Sequence, residues 1–325
     1  MKEEEFALLP LPAQEYLNHL SYLNLSVLTI REYGSDLRLF FNYLAKTRKL
    51  CDFTDGVQPD LSELFDMERI RTIRLNETVA FLAYCRTERG CSPKTRARKV
   101  TSLKRFFSYL VQQQGLERNP CEGLQPPKAP KTLPKFLSLE EAQRLLEAVG
   151  GDFKARDRAM LMLFLNCGIR LSELTGLNLR DIHRDAEGAP YIRVHGKGDK
   201  ERDVYLNAGA FQALEEYAKV RPQDRLKAAD RDALFISKNY TRISNRGTEY
   251  VLEQCLLRSG LAGLGYTVHK LRHTAATLMY QNDVDVLELQ QILGHENLST
   301  TQIYTHVVNR QLKAAVDANP LGRAQ

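Results

Sequence analysis

The N-terminal part of the chain shows the hydrophobic period of amphipathic helices. Residues 26–45 predict a helix, with Ser26 as a suitable N-cap. Its apolar face would be formed by Ile30, Tyr33, Leu37, Phe40, Phe41 and Leu44. A second helix is predicted over residues 76–88 and a third over 93–113. The pattern therefore favours a helical bundle in this part of the chain.

The helix predicted over residues 93–113 has a basic side. Its apolar stripe consists of Val100, Leu103, Phe106, Phe107 and Leu110. Its polar side carries Lys94, Arg98, Thr101 and Arg105. Eight basic residues and one acidic residue lie between Arg86 and Arg105. This side of the helix is either solvated or in contact with nucleic-acid phosphates.

Two stretches interrupt the helical pattern. Residues 47–75 are polar and irregular and predict a loop or short helices. Residues 125–136 contain four prolines and three lysines, which favours an extended linker over a surface loop within one domain. The sequence thus predicts an N-terminal domain over 1–124, a linker over 125–136 and a C-terminal domain over 137–325.

The C-terminal half is mainly helical with a small antiparallel β element. Ser138 and Glu141 form a capping-box signal for a first helix. Residues 190–206 change to a two-residue period around a glycine-containing turn, which predicts a hairpin. Gly294 is expected to end a helix. The other helices are predicted over 154–166, 172–177, 208–220, 248–259, 270–281 and 285–293. A short helix is predicted to start at Ser299, and a final helix is predicted over 307–318.

Composition narrows the class of protein only modestly. The net charge of +6 weakly favours an anionic partner. The six cysteines have no zinc-site spacing and suggest free thiols in a reducing compartment. The sequence has neither a secretory signal nor an apolar stretch of membrane-spanning length, so a cytoplasmic protein with no membrane partner is expected.

The C-terminal half also contains the residue types that DNA strand cleavage requires: permanent cations, a nucleophile, a base and an acid. They occur in the order Arg170, Lys197, His269, Arg272, His295 and Tyr304. Each has an ordinary alternative when taken alone. Arg170 could pair with Glu173, Lys197 could be solvated, and His269 could bind a metal together with His273. His295 could cap a helix, and Tyr304 could be a packing residue.

Taken together, the motifs resemble those of tyrosine recombinases of the phage-integrase superfamily, closest to the bacterial Xer type. The resemblance extends from about residue 12 to 315. It rests on the segments TIREYGSDLRLFFNYL, SPKTRARKVTSLKRFFSYL, RLSELTGLNLRDI, GKGDKER, HKLRHTAATLM and LGHENLSTTQIYTH.

The resemblance implies a role for each candidate. Arg170 and Arg272 match the arginines that bind the scissile phosphate, and Tyr304 matches the nucleophile. Lys197 matches the lysine that protonates the leaving 5′ oxygen. His269 matches the histidine that helps to move the proton of the nucleophile, and His295 matches a hydrogen-bond donor to the phosphate. No metal and no cofactor is implied.

The resemblance also implies an architecture and partners. A helical, SAM-like core-binding domain and an α-rich catalytic domain with a small antiparallel sheet would form a C-shaped clamp on DNA. Lys94, Arg98, Thr101 and Arg105 are the expected DNA-binding residues of the first domain. The partners would be duplex DNA with an inverted-repeat site, three further subunits of the same or a second recombinase, and a DNA translocase.

Several functions remain open at this point. Resolution of chromosome or plasmid dimers is the leading hypothesis, and an integrase or transposase of a mobile element is the alternative. A type IB topoisomerase and a non-catalytic DNA-binding protein are further alternatives.

Overall fold

The computed structural model describes residues 3–51, 59–127, 135–196 and 200–294. The chain divides into two compact units, Met1–Lys131 and Thr132–Gln325. The fold is mainly helical with one small sheet, which confirms the predicted fold class. No helix of the described residues has both the length and the apolar character needed to cross a membrane.

The first unit is a helical bundle. Its helices are α1 (Glu3–Ala7), α2 (Leu11–Tyr22), α3 (Val27–Thr47), α4 (Leu61–Leu64), α5 (Met67–Arg71), α6 (Leu75–Thr87) and α7 (Pro93–Gln113). The predicted N-cap of α3 is confirmed, because the Ser26 hydroxyl accepts a hydrogen bond from the Thr29 amide at 3.2 Å. Within the irregular stretch 47–75, the described residues form the two short helices α4 and α5, as one of the two alternatives predicted.

The core of the first unit is formed by the predicted apolar stripes. Buried aromatic rings from α2, α3, α6 and α7 meet in its centre, and this group includes Tyr16, Phe40, Phe41, Phe81, Phe106 and Phe107. Phe40 packs edge-on against Phe81, with ring centroids 5.2 Å apart. Such edge-to-face contacts stabilise a core beyond simple burial of area, and they fix α3 against α6 and α7.

The second unit surrounds a small sheet with helices. Its helices are α8 (Leu139–Glu147), α9 (Lys154–Met162), α10 (Leu171–Gly176), α11 (Ala208–Val220), α12 (Asn245–Arg258), α13 (Val268–Gln281) and α14 (Val286–Leu293). Ser138 and Glu141 form the predicted capping box of α8. The helices predicted from Ser299 and over 307–318 lie outside the described residues.

The sheet has three antiparallel strands in the order β1 (Ile182–Arg184), β2 (Pro190–His195) and β3 (Glu201–Tyr205). The hairpin of β2 and β3 was predicted, whereas β1 was not. Three residues are too few to show an alternating pattern. In the hairpin, Ile192 lies opposite Val204 and Val194 opposite Arg202.

The helix predicted over residues 154–166 is present and has an irregular C-terminal part. Its α-helical part, α9, ends at Met162, and Leu163–Cys167 form a π-helical turn. The sequence of this turn, LFLNC, is apolar and four of its five residues are buried. Packing against α13 and the rest of the core therefore overrides the local α-helical pattern.

Candidate active site

A sharp backbone turn leads into the helix that begins at the first candidate arginine. Gly168 follows the π-helical turn in a left-handed conformation, with φ of 60°. A Cβ atom at this position would lie 2.7 Å from Cδ2 of Leu293, so only glycine lets α14 approach this closely. The chain then enters α10, and Arg170 is the N-cap residue of that helix.

Arg170 is held by a buried carboxylate. Its Nη1 donates to Oε1 of Glu173 at 2.7 Å, and its backbone amide donates to Oε2 at 2.7 Å. The pairing with Glu173, which the sequence left as an alternative, is therefore present. It does not hide the arginine, because the Arg170 side chain remains 38% exposed while that of Glu173 is 1% exposed.

A second arginine reaches the same carboxylate from the sheet. Arg202 of β3 donates from Nη1 to Oε1 of Glu173 at 2.7 Å and from Nη2 to Oε2 at 2.9 Å. Burial raises the pKa of Glu173, but hydrogen bonds from Arg202 and Arg170 and the charge of Arg202 outweigh burial and hold the pKa at about 2. Glu173 is thus an anion near neutral pH.

Three consecutive carbonyl groups at the C-terminal end of α14 each accept a hydrogen bond from a different arginine. Ile292 accepts from Arg202 Nε at 3.2 Å. Leu293 accepts from Arg272 Nη2 at 2.5 Å and Gly294 from Arg170 Nη2 at 2.8 Å. The last carbonyls of a helix have no partner within the helix and carry partial negative charge, which favours cations there.

Arg272 is the second candidate arginine, and the fold brings it to Arg170. It lies on α13, is 3% exposed, and its Nη1 donates to the carbonyl of Gly168 at 2.6 Å. The two arginines thus share the Gly168–Arg170 turn on one side and the end of α14 on the other. Two permanently charged guanidiniums held in this way have the chemistry suited to an anion such as a phosphate.

His269 lies one turn before Arg272 on α13 and is exposed. Its ring packs edge-to-face against that of His273, with centroids 4.6 Å apart. Burial, together with the neighbouring His269, Arg272 and Lys270, lowers the pKa of His273 to about 4. His273 is therefore neutral near pH 7. In the part of the chain that the structure describes, no group of three or more His, Cys, Asp or Glu residues could hold a metal ion.

The other three catalytic candidates, Lys197, His295 and Tyr304, lie outside the described residues. Described residues lie next to two of them along the chain. The amide of Gly196, just after β2, donates to the carbonyl of Lys200, just before β3, at 2.7 Å. Gly294 ends α14 in a left-handed conformation, as predicted, immediately before His295.

The basic side of α7 contains the candidate DNA-binding residues of the first unit. Lys94, Thr101 and Arg105 are exposed. Arg98 is not a simple solvated side chain, because its Nη1 lies 2.6 Å from Oδ2 of Asp36 and 3.0 Å from Oε2 of Glu32. The sequence analysis did not identify Asp36, an acidic residue on the buried side of α3.

Glu173 and Arg202 are the site residues whose roles the sequence analysis missed. A local signal existed for Glu173, which stands three residues after Arg170 and was considered only as a competitor for it. No local signal existed for Arg202, because its carboxylate partner is 29 residues away along the chain.

Comparison with known proteins gives a consistent result. Residues 135–311 match the phage integrase family. The chain is 44% identical over 314 residues to the tyrosine recombinase XerC of Caldanaerobacter subterraneus, covering 95% of this chain and 87% of that protein. It is 34% identical over 292 residues to the tyrosine recombinase XerD of Listeria innocua, covering 89% and 91%.

Solved structures agree with these relatives. The fold is similar to that of the XerH site-specific recombinase in a post-cleavage complex with a palindromic difH substrate, with a TM-score of 0.71 and 25% identity, covering 91% of this chain and 81% of that one. It also resembles a λ integrase dimer bound to a core site, with a TM-score of 0.66 and 16% identity, covering 89% and 95%, a likeness of fold alone. This chain belongs to the tyrosine recombinase family of the phage integrase type, whose enzymes cleave and rejoin DNA.

Proposed function

We propose that this enzyme is an Xer-type site-specific recombinase in which Arg170 and Arg272 bind the scissile phosphate and Tyr304 attacks it. One observation carries the proposal: both arginines converge on the Gly168 turn and the end of α14, where their hydrogen bonds fix two guanidiniums beside each other. The similarity to XerC over nearly the whole chain supports the Xer type.

The proposed reaction exchanges one phosphate ester for another. The phenolic oxygen of Tyr304 bonds to phosphorus, and the bond from phosphorus to the 5′ oxygen breaks. His269 takes the phenolic proton, and Lys197 gives a proton to the leaving 5′ oxygen. The products are a 3′-phosphotyrosine and a free 5′-hydroxyl group. Attack by a 5′-hydroxyl of the partner strand reverses these steps and releases Tyr304.

The cationic side chains would help the phenol of Tyr304 to attack at neutral pH. A free phenol has a pKa near 10, so little of it is ionised at neutral pH. Negative charge also grows on the non-bridging oxygens in the transition state. Arg170, Arg272 and a hydrogen bond from His295 would stabilise that charge by preorganised electrostatics.

The proposal extends to domains and partners. Residues 1–124 would be the core-binding domain, 125–136 the linker and 137–325 the catalytic domain, in keeping with the two compact units. Lys94, Arg98, Thr101 and Arg105 would contact DNA from the first of these. The partner would be a duplex with an inverted-repeat site bound by four recombinase subunits, and the role would be resolution of chromosome or plasmid dimers, aided by a DNA translocase.

The six thiols, none of which forms a disulfide, support the further proposal that the enzyme works in the cytoplasm.

The central experiment traps the covalent intermediate. The unmodified protein is incubated with fragmented chromosomal DNA of its source organism, adducts are collected under denaturing conditions, and the attached ends are sequenced to obtain the site. A nicked duplex of that site then serves as substrate. Tyr304→Phe should bind this duplex as well as the unmodified protein does and form no adduct. An adduct with Tyr304→Phe would show that another residue is the nucleophile.

Relaxation of a supercoiled plasmid that lacks the recovered site separates the proposal from a type IB topoisomerase. A site-specific recombinase leaves that plasmid supercoiled, whereas a topoisomerase relaxes it.

A further inference from the structure

Arg202 occupies a position from which it reaches both sides of the candidate active site. It lies on β3, two residues after Lys200, and pairs across the sheet with the buried Val194. Its side chain is 16% exposed, less than half of the value for Arg170. Its hydrogen bonds within the protein account for its position.

These hydrogen bonds engage all three nitrogens of the Arg202 guanidinium. Nη1 and Nη2 bind the two oxygens of Glu173 at 2.7 and 2.9 Å, and Nε binds the carbonyl of Ile292 at 3.2 Å. A Cβ atom at Gly294 would lie 2.9 Å from Cδ of Arg202, so the side chain packs directly on the end of α14. The two Nη atoms thus bind a carboxylate, and Nε binds the end of a helix.

Both targets of Arg202 are also targets of Arg170. Arg170 binds Glu173 through its backbone amide and its Nη1, and binds Gly294 through its Nη2. Arg202 therefore shares one acceptor with Arg170, the Glu173 carboxylate. It also binds the helix end that supplies the other acceptor, through the carbonyl of Ile292.

We infer that Arg202 is a positioning residue for Arg170: it holds Glu173 and the end of α14 in the places from which they orient the Arg170 guanidinium toward the scissile phosphate. This inference rests on the proposed function. It names a residue outside the six catalytic candidates and gives it an indirect role in the same phosphate-binding site.

Lysine cannot replace arginine in this role. An ammonium group keeps the charge but cannot place parallel N–H groups on two carboxylate oxygens while a third N–H binds a carbonyl. Arg202→Lys should therefore keep most of the stability that the charge provides and lose the positioning. A displacement of about 1 Å at a reacting group lowers the rate by roughly 10²-fold.

The test measures single-turnover cleavage of the nicked duplex by Arg202→Ala, Arg202→Lys and a matched control. The control is Arg193→Ala, because Arg193 lies on the adjacent strand and makes an equally two-pronged contact with Asp203, at 2.8 and 3.0 Å, on the surface. Both Arg202 variants should cleave about 10²-fold more slowly, with DNA affinity and the cleavage rate of Arg193→Ala unchanged.

A double-variant cycle tests the route through Arg170. If Arg202 acts on Arg170, adding Arg202→Lys to Arg170→Ala should slow cleavage no further, since residues that act as a unit are not additive. A substrate with a methylphosphonate at the scissile position lacks one negative charge on phosphorus. It should restore cleavage by Arg202→Lys in the same proportion as it restores cleavage by Arg170→Ala.

Several outcomes would overturn the inference. These are cleavage by both Arg202 variants at the unmodified rate, an additive effect in the Arg170→Ala background, and a loss of DNA affinity that accounts for the slower cleavage. Failure of both variants to fold, judged by circular dichroism and thermal melting, would assign Arg202 to the stability of the fold instead. Absence of any adduct with the unmodified protein would instead refute the proposed function.

Discussion

In each unit of the protein, a carboxylate is buried between two basic side chains, and the two clusters differ in their hydrogen bonds. In the Asp36 cluster, Arg98 Nη1 binds Oδ2 and Lys99 Nζ binds Oδ1, both at 2.6 Å. In the Glu173 cluster, Arg202 and Arg170 supply four hydrogen bonds to the carboxylate. Both carboxylate side chains are 1% exposed.

The difference in bonding gives opposite shifts in pKa. Burial raises the pKa of Asp36 even though Lys99 and Arg98 oppose the shift. In the Glu173 cluster the hydrogen bonds overcome burial, and the pKa falls to about 2. Equal burial is thus accompanied by a raised pKa at Asp36 in one unit and a lowered pKa at Glu173 in the other. The difference follows from the number of hydrogen bonds that each carboxylate accepts.

The largest expected effect comes from Glu173→Gln. The change leaves Arg170 and Arg202 without their counter-ion, and loss of one partner from a buried ion pair typically costs about 3–5 kcal/mol of stability. Hydrogen exchange in urea, followed by mass spectrometry on peptides of the second unit, measures the change in the free energy of unfolding. Peptides of the first unit provide the control, and an equal loss in them would contradict the assignment.

Asp36→Asn should have a smaller effect, about 2 kcal/mol, because fewer hydrogen bonds to charged groups are lost. The same exchange measurement on peptides of α3 and α7 tests it. A loss of unfolding free energy larger than that of Glu173→Gln would contradict the difference expected between the two clusters.

Adding Lys99→Met to Asp36→Asn sharpens this prediction. The second change removes the buried charge that the first leaves unpaired, so stability should recover. A further loss on adding it would show that Lys99 contributes by contacts other than the one with Asp36.

Acid should weaken the second unit before the first. The folded pKa of His273, about 4, is below the usual 6.5. The unfolded chain therefore binds the proton more readily, and stability is lost as the pH falls from 6.5 through 4. We expect a loss of roughly 1–2 kcal/mol, less than the whole shift implies because the ring is partly exposed.

Unfolding of the second unit in urea at pH 7, 5.5 and 4 measures this dependence, and His273→Asn should remove most of it. The pH dependence that Asp36 contributes has the opposite sign. Because its folded pKa is raised, the folded protein binds the proton more readily than the unfolded chain does. The first unit therefore gains stability from Asp36 as the pH falls through the folded pKa. Acid loss confined to the first unit would contradict both shifts.

The smallest effect concerns DNA affinity. Lys94→Ala removes an exposed cation and should lower the slope of log affinity against log salt by about 1. Arg98→Ala should change the slope less, because Asp36 and Glu32 already neutralise Arg98. Fluorescence anisotropy of a labelled duplex across a range of NaCl concentrations compares them. A steeper loss for Arg98→Ala would show that DNA displaces the acidic partners.

The features that depend on residue spacing within one helix could be predicted from the sequence. The apolar stripes of α3 and α7, the Ser26 cap and the capping box of α8 follow from spacing within one helix, and all were confirmed. The catalytic candidates came from short motifs, of which the structure describes Arg170, His269 and Arg272 and brings the two arginines together.

Features that depend on distant residues were not predictable in this way. The contact of Arg202 with Glu173 joins a strand to a helix, and that of Asp36 with Lys99 joins two helices 63 residues apart. The π-helical turn packs against α13, which lies far from it along the chain. In each case the deciding partner is close in space and remote along the chain.

The π-helical turn also bears on how this fold can change in evolution. A deletion in a regular α-helix would rotate everything after it by about 100° around the helix axis. The turn Leu163–Cys167 instead holds one extra residue in about the rotation of an α-helical turn. A lineage that lost this one residue would therefore form a regular α-helix and still direct the carbonyl of Gly168 toward Arg272.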